Sequence, residues 1–478
     1  MVVLAYGTAV HVVQLVGTCL DPYPGWLRSL SPGGGWETRP GVLGTEEGGA
    51  MAADGSSRVP VPGDVVGDGA GRGAEAAGGW SPWRVVVGFG VVSLAADMVY
   101  EGARSVYGPL LASLGASALL VGAITGAGEA VALVLRVVSG PFADRTRRYW
   151  TLTVVGYAMT AVCVPLLAVT PMLGGAGLVV AGVLILLERA GKAVRSPAKS
   201  ALLADAAGQV GMGRGLGVHK ALDQVGAFAG PLLVAGVVAL AGGDLRLALA
   251  VLAVPGAAAM VLLLFARRQA PRPPSAAPEP ATAEHRQARD VGREPLPPAF
   301  LRFAAATSLC TAGLVGFGLI GFNVADRELL PLAGVPLLYA GAMAAGAVAA
   351  LLTGEAYDRL GGRVLLVLPF LVAAVTALVL GGSLAVVVPG ALLWGAAVGV
   401  QDSTVKAMVA DLVPRARRAT AYGIFAAVQG AGALVGGVVA GALYQRSLGA
   451  LVVVTALGQA AALVLLVRTL AAARHRRT

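Results

Sequence analysis

The sequence predicts an all-α polytopic membrane protein, with about twelve transmembrane helices in two pseudo-symmetric six-helix bundles. Three observations carry that expectation. No charged side chain occurs from Thr151 to Leu187, nor from Val364 to Gln401. Each run is too long for a soluble core helix and fits two crossings of ~20 residues joined by a turn. Pro171, Gly174, Gly175 and Gly177 supply that turn in the first run; Gly381, Gly382 and Ser383 supply it in the second. Composition agrees: of 478 residues, 56% are hydrophobic and 13% charged, with mean hydropathy +0.76. A soluble domain carries roughly twice that charged share. Third, arginines and lysines gather in alternate loops.

The elements follow in order. Residues 1–20 are apolar, but His11 and Gln14 interrupt them and no basic segment precedes them, so a signal peptide is poorly supported. Asp21 to Ser81 is rich in Gly, Pro, Ala and acidic residues without periodicity, the composition of a disordered segment. We therefore expect a disordered N-terminal extension over 1–83, and translation starting after Met1, with Met51 as the candidate. An apolar window near twenty residues then gives spans at 85–112, 116–138, 150–170, 177–200, 216–241 and 245–266. Pro, Ala, Arg and Glu dominate 267–299, which reads as a flexible polar linker. Six more spans follow at 300–325, 335–356, 364–382, 385–408, 420–443 and 448–468. The expected domains are thus an N-terminal bundle over 84–266, a C-terminal bundle over 300–470 and a basic tail over 471–478. The 68 glycines favour close helix packing.

One set of loops and span ends carries Arg84, Arg145, Arg147, Arg148, Arg195, Lys199, Arg214, Arg267, Arg268, Arg359, Arg363, Arg415, Arg417, Arg418, Arg474, Arg476 and Arg477. The opposite set holds only Arg246, Arg327 and Arg446. The positive-inside rule places both termini and the linker in the cytoplasm, with the spans in the cell membrane. The formal charge of +10 is explained by this bias and implies a lipid partner, not nucleic acid. Cys19, Cys163 and Cys310 are far apart, and only four histidines occur, so neither a disulfide framework nor a metal site is expected. No Gly-x-Ser-x-Gly elbow or phosphate-binding glycine loop appears. A cofactor is not implied. A membrane-embedded enzyme and a receptor-like scaffold remain the remote alternatives.

Two loops repeat a pattern. After the second span the chain reads Gly140-Pro-Phe-Ala-Asp144-Arg145, and after the eighth Gly354-Glu-Ala-Tyr-Asp358-Arg359-Leu-Gly361-Gly-Arg363. Equivalent places in two six-span halves signal a duplication. With these loops the chain resembles the major facilitator superfamily, whose loop signature is Gly-x-x-x-Asp-Arg/Lys-x-Gly-Arg/Lys-Arg/Lys. The second copy matches through Gly361 and Arg363. The first departs, with Arg147 in place of glycine and Tyr149 at the last basic position. In the fifth span, Gly226, Gly230 and Pro231 are similar to the family's antiporter motif, although Val234 replaces its last glycine. The resemblance covers roughly 84–470. It implies that Gly140, Asp144, Arg145, Gly354, Asp358, Arg359, Gly361 and Arg363 form a cytoplasmic latch in an alternating-access cycle. The plainer reading is that the arginines only enforce topology.

Ionisable groups inside the spans are the strongest functional clues, since each costs a few kcal/mol at the membrane centre. Asp97, Glu101 and Arg104 share one helical stripe. The second span has Glu129 and Arg136; the fourth Glu188, Arg189 and Lys192; the fifth Lys220 and Asp223. The second half has less, with Asn323 in the seventh span and Asp402 in the tenth. The resemblance implies that spans one, four, seven and ten line a central cavity. The expected cavity and proton residues are then Asp97, Glu101, Arg104, Glu129, Glu188, Arg189, Lys192, Asp223, Asn323 and Asp402. Asp97 or Glu101 would carry the proton, with Arg104, Arg189 and Lys192 as counter-charges or anion contacts. Alternatively Glu101–Arg104, Glu188–Lys192 and Lys220–Asp223 are neutralised pairs that only fix packing. Arg136, Lys199 and Lys220 are expected to snorkel to the interface, and His219 to be a packing residue. The expected function is transport of a small organic solute, coupled to protons, with efflux by antiport favoured and uptake by symport the alternative.

Overall fold

The computed structural model describes residues 80–269, 296–414 and 417–474. The expected extension up to residue 79, the Met51 start, the linker between 270 and 295, Arg415, Arg476 and Arg477 lie outside the described residues. Among the described residues the chain is helical throughout. Ten stretches are long and apolar enough to cross a membrane. Two of them, Tyr149–Val210 and Gly334–Val379, are each broken into two crossings, which gives twelve.

In chain order α1 runs Pro82–Arg104 and resumes as Tyr107–Ser113. Next come α2 (Ala118–Thr146), α3 (Tyr149–Leu166), α4 (Gly177–Val210) and α5 (Met212–Leu240). α6 is Leu245–Val251 continued by Ala253–Gln269. α7 runs Pro298–Gly313 and resumes as Phe317–Asp326. α8 (Gly334–Leu360), α9 (Leu368–Val379), α10 (Leu384–Val400), α11 (Arg418–Arg446) and α12 (Leu448–Arg474) complete the set. A π turn, Gln401–Val405, and a short helix, Lys406–Leu412, extend α10.

Local chemistry sets the ends. Ser81 and Ser117 accept from Arg84 N and Leu120 N and so cap α1 and α2. Asp244 caps α6 and takes both the backbone and the guanidinium of Arg246, which hold its carboxyl below the usual range. The turns between α3 and α4 and between α8 and α9 need positive φ, and glycine supplies it at Gly174 and Gly361. Helices α2, α4 and α8 run past the expected spans to Thr146, Val210 and Leu360. An apolar window ends where charge begins, whereas a helix continues into water.

Two expected spans break at matching places in the two halves. The break in α1 follows Arg104 and that in α7 follows Gly313. Their outer segments pack on each other, and any Cβ on Gly108 would overlap the Gly318 carbonyl and the Phe322 amide. This contact joins the two bundles at the end opposite the arginine-rich loops. The halves also meet along α2 and α11 and along α5 and α8. At the α2–α11 crossing, Gly122 and Gly437 each leave no room for a Cβ against the other's carbonyl. Lipid offers no hydrophobic drive between helices, so such close van der Waals approach holds them. Large apolar side chains such as Val138, Leu240 and Leu351 point outward. In water these would form an aggregating surface; in acyl chains they are solvated.

Gly437→Ala should therefore overpack α2 against α11 and cost about 1–3 kcal/mol. A lower thermal midpoint in detergent is expected, with Gly458→Ala, where nothing lies within 4 Å, as the unshifted control.

A charged central cavity

The charged stripe of α1 meets α2 and α4 at mid-span. Arg104 donates from Nη2 to Glu129 Oε1 at 2.8 Å and lies 3.8 Å from Glu101 Oε2. Arg189 Nη1 reaches the same Glu129 oxygen at 3.5 Å, and its Nε is 3.6 Å from Glu188 Oε2. Arg189 also donates to the Tyr100 hydroxyl, with its guanidinium carbon 4.6 Å from that ring's centroid. Lys192 Nζ lies 3.4 Å from the same centroid, a cation–π contact. Tyr339 of α8 donates to Glu101 and so joins the C-terminal bundle to this network. The expected Glu188–Lys192 pair is replaced by Glu188–Arg189. Glu188 is fully buried, and neither of its carboxylate oxygens has a hydrogen-bond partner.

A cavity of about 170 Å³ lies between the bundles. Arg104, Tyr107, Glu129 and Arg189 form its N-terminal wall; Thr311, Phe317 and Trp394 stand opposite. The break in α7 frees the Val315 carbonyl, which Trp394 Nε1 takes at 2.7 Å. Phe317 then packs on both Tyr339 and Trp394, at 4.5 and 5.5 Å between ring centroids. Deeper in the same wall, the Thr311 hydroxyl meets the side-chain amides of Gln401 and Gln429. One wall is thus ionic and the other is aromatic and amide-bearing.

A second cluster lies nearer the arginine-rich end. Gly226 and Gly230 of α5 sit where a Cβ would overlap the backbone of Leu94 and Met98 in α1. Glycine there lets the two backbones touch. The turn of α1 they meet carries Asp97, and Asp223 lies one turn before Gly226. Asp97 and Asp223 therefore sit on facing turns of the two helices, close enough for their carboxylates to interact. Lys220 Nζ holds Asp223 at 2.7 Å. Alongside, Ser93 bonds Tyr157, His219 and Lys199 Nζ, at 3.1, 3.1 and 3.0 Å. Lys199 therefore turns inward where snorkelling was expected, and His219 is buried against Ser93.

The other expected residues separate by place. Pro231 is buried in α5 beside Gly230. Asn323 does not line the cavity. It is fully buried at the end where α1 and α7 join, and there Tyr444 donates to it and its amide reaches the Val379 and Gly381 carbonyls. Asp402 is exposed in the π turn of α10. Gly140 and Gly354 are partly exposed within α2 and α8, and Gly361 is the positive-φ residue that ends α8. Asp144, Arg145, Asp358, Arg359 and Arg363 are exposed. Asp144 accepts from Tyr149 at 3.1 Å and Arg359 pairs with Glu355, contacts that do not cross between bundles. Sequence reasoning missed Tyr100, Tyr339, Thr311, Gln401, Gln429 and Trp394. Tyr100 precedes Glu101 directly, and Gln401 ends an uncharged run. For the others, only the crossing of helices distant in sequence brings them to the site.

Comparison with known proteins places this architecture. The model of the Major Facilitator Superfamily matches residues 89–330 and 330–478. The uncharacterised protein Rv2265 of Mycobacterium tuberculosis (strain ATCC 25618 / H37Rv) is 50% identical over 386 residues, which covers 81% of this chain and 93% of that protein. An uncharacterised MFS-type transporter of Methanocaldococcus jannaschii is 24% identical over 370 residues, 75% of this chain and 88% of its own. Among solved structures, the nucleoside transporter NupG aligns with TM-score 0.58 at 14% identity, over 81% of this chain and 98% of that one. The peptide transporter POT in complex with sulfate aligns with TM-score 0.61 at 17% identity, over 82% and 94%.

Tyr339→Phe keeps the ring against Phe317 but leaves Glu101 without that donor. A hydrogen bond to a charged group contributes about 1.5–3 kcal/mol. The variant should melt earlier in detergent, and an unchanged midpoint would mean the bond joining the bundles is idle.

Proposed function

The chain belongs to the major facilitator superfamily, and from that premise we propose that it exports a small organic solute in exchange for protons. Family and fold are those of membrane transporters rather than enzymes. Coupling and direction are the added reading, and one observation carries them. The glycines of the antiporter-like segment bring α5 onto α1 at the turn where Asp97 faces Asp223. Two carboxylates brought together inside a membrane make a group suited to taking up and releasing a proton, because their like charges repel. Lys192 and Lys199 face Asp97, and Lys220 holds Asp223, so the pair has counter-charges ready when the proton leaves.

Alternating access gives this pair its role. The outer segments of α1 and α7 pack on each other, while Asp144, Arg145, Asp358 and Arg359 are exposed, and the side-chain contacts of Asp144 and Arg359 among the described residues stay within their own bundles. That combination supports a state open toward the arginine-rich face, which the positive-inside rule makes cytoplasmic. In the opposite state the outer contact would part, and Asp144, Arg145, Asp358 and Arg359 would hold the cytoplasmic ends together. The bundles that rock are 84–266 and 300–470, joined by 267–299. Nucleosides and peptides are named for structural neighbours below 20% identity, so the cargo here is argued from the cavity alone.

A deletion strain screened against toxic compounds and nutrients identifies a solute for assay in proteoliposomes. An inward proton gradient should drive its export, and Asp97→Asn should abolish that flux while membrane insertion stays intact. Full gradient-driven flux in the variant would remove Asp97 from the proposal; uptake along with the proton would reverse the direction. Asp358→Ala should slow exchange several-fold without changing which solutes are carried, and an altered solute profile would contradict its latch role.

A further inference from the structure

We infer that the solute is a small organic anion with an apolar body, whose acidic group takes the place of the Glu129 carboxylate between Arg104 and Arg189. This rests on reading the cavity as a transporter's solute site. Glu129 is a tethered carboxylate presented to two guanidiniums. A single oxygen, Oε1, receives both Arg104 at 2.8 Å and Arg189 at 3.5 Å. It is also the most open member of the group, its side chain 35% exposed against 4% for Arg189. Arg189 lines the cavity, yet its buried Nε makes no hydrogen bond and has only the Glu188 carboxylate near it, at 3.6 Å. Its planar fork is therefore only partly used, and a carboxylate is the group whose two oxygens match such a fork.

Charge balance points the same way. The cavity wall carries two guanidiniums and one carboxylate. Over α1, α2, α4 and α5 together, six cations that are not exposed face five such carboxylates, two of which are the neighbouring Asp97 and Asp223. The opposite wall, with Phe317 and Trp394, contributes no charge and suits a ring or chain. An anionic head toward Arg104 and an apolar body toward Trp394 satisfies both walls. A cation would face two guanidiniums and only the already shared Glu129.

Three probes with one ring and different charge test this on the purified full chain in detergent: benzoate, benzylammonium and benzyl alcohol. Benzoate should bind about tenfold or more tighter than the other two by titration calorimetry. Glu129→Gln keeps the shape, removes the competing negative charge and should tighten benzoate about tenfold. Arg104→Gln and Arg189→Gln should each weaken it at least about tenfold. Arg189 is buried, so if its variant fails to fold by circular dichroism and gel filtration, the partly exposed Arg104 carries the test. A preference for benzylammonium overturns the inference, as does a benzoate affinity unmoved by both Glu129→Gln and Arg104→Gln. Selective benzoate binding without proton-driven exchange would sink the exchange reading alone, whereas exchange without benzoate selectivity would sink this inference alone.

Discussion

A charge inside a bilayer has no water to turn to, and that constraint organises the whole molecule. The N-terminal bundle carries Asp97, Glu101, Arg104, Glu129, Glu188, Arg189 and Lys192 within its spans. Each would be costly alone. They are tolerable because they solvate one another: Arg104 with Glu101 and Glu129, Arg189 with Glu129 and Tyr100, Lys192 over the Tyr100 ring. Arg104, Glu129 and Arg189 of this cluster line the cavity. A network of this kind is weak evidence for stability, since apolar residues of similar volume would often pack as well.

Backbone approach is the second organising factor. With lipid on all sides, helices associate through packing and hydrogen bonds rather than through expulsion of water. Gly122 against Gly437 fixes α2 on α11, and Gly226 with Gly230 fixes α5 on α1. The second crossing does more than pack. It sets the spacing at which Asp97 and Asp223 face each other, so a motif of small residues controls the placement of a charged pair that it does not contain.

The two bundles share topology but not chemistry. Both first helices break at matching points, after Arg104 and after Gly313, and the two outer segments pack on each other. The freed carbonyl of Val315 is met by Trp394, whereas in α1 the Ser105 hydroxyl turns back to the Gly102 carbonyl. Charge sits on one side of the cavity; aromatic and amide groups sit on the other.

How much was legible in the chain follows from these forces. Spans were readable because hydrocarbon imposes both length and apolarity on every crossing, so Thr151–Leu187 and Val364–Gln401 could hardly be anything else. The repeated Gly-x-x-x-Asp-Arg loops gave the duplication for the same reason: they are local in sequence. The charged stripe of α1 was local too, and helical spacing exposed it. Partnerships were not local. Glu188 pairs with Arg189 and not Lys192, Lys199 turns inward to Ser93, Asn323 serves the end where α1 and α7 join instead of the cavity, and Tyr339 reaches Glu101 from 238 residues away. The sequence by itself determined the solvent, the number of crossings and which ionisable groups lie within the spans, because those depend on composition along one helix. Only the tertiary structure decided which of those groups meet, because that depends on how closely two backbones, far apart in the chain, can approach where glycine leaves the space.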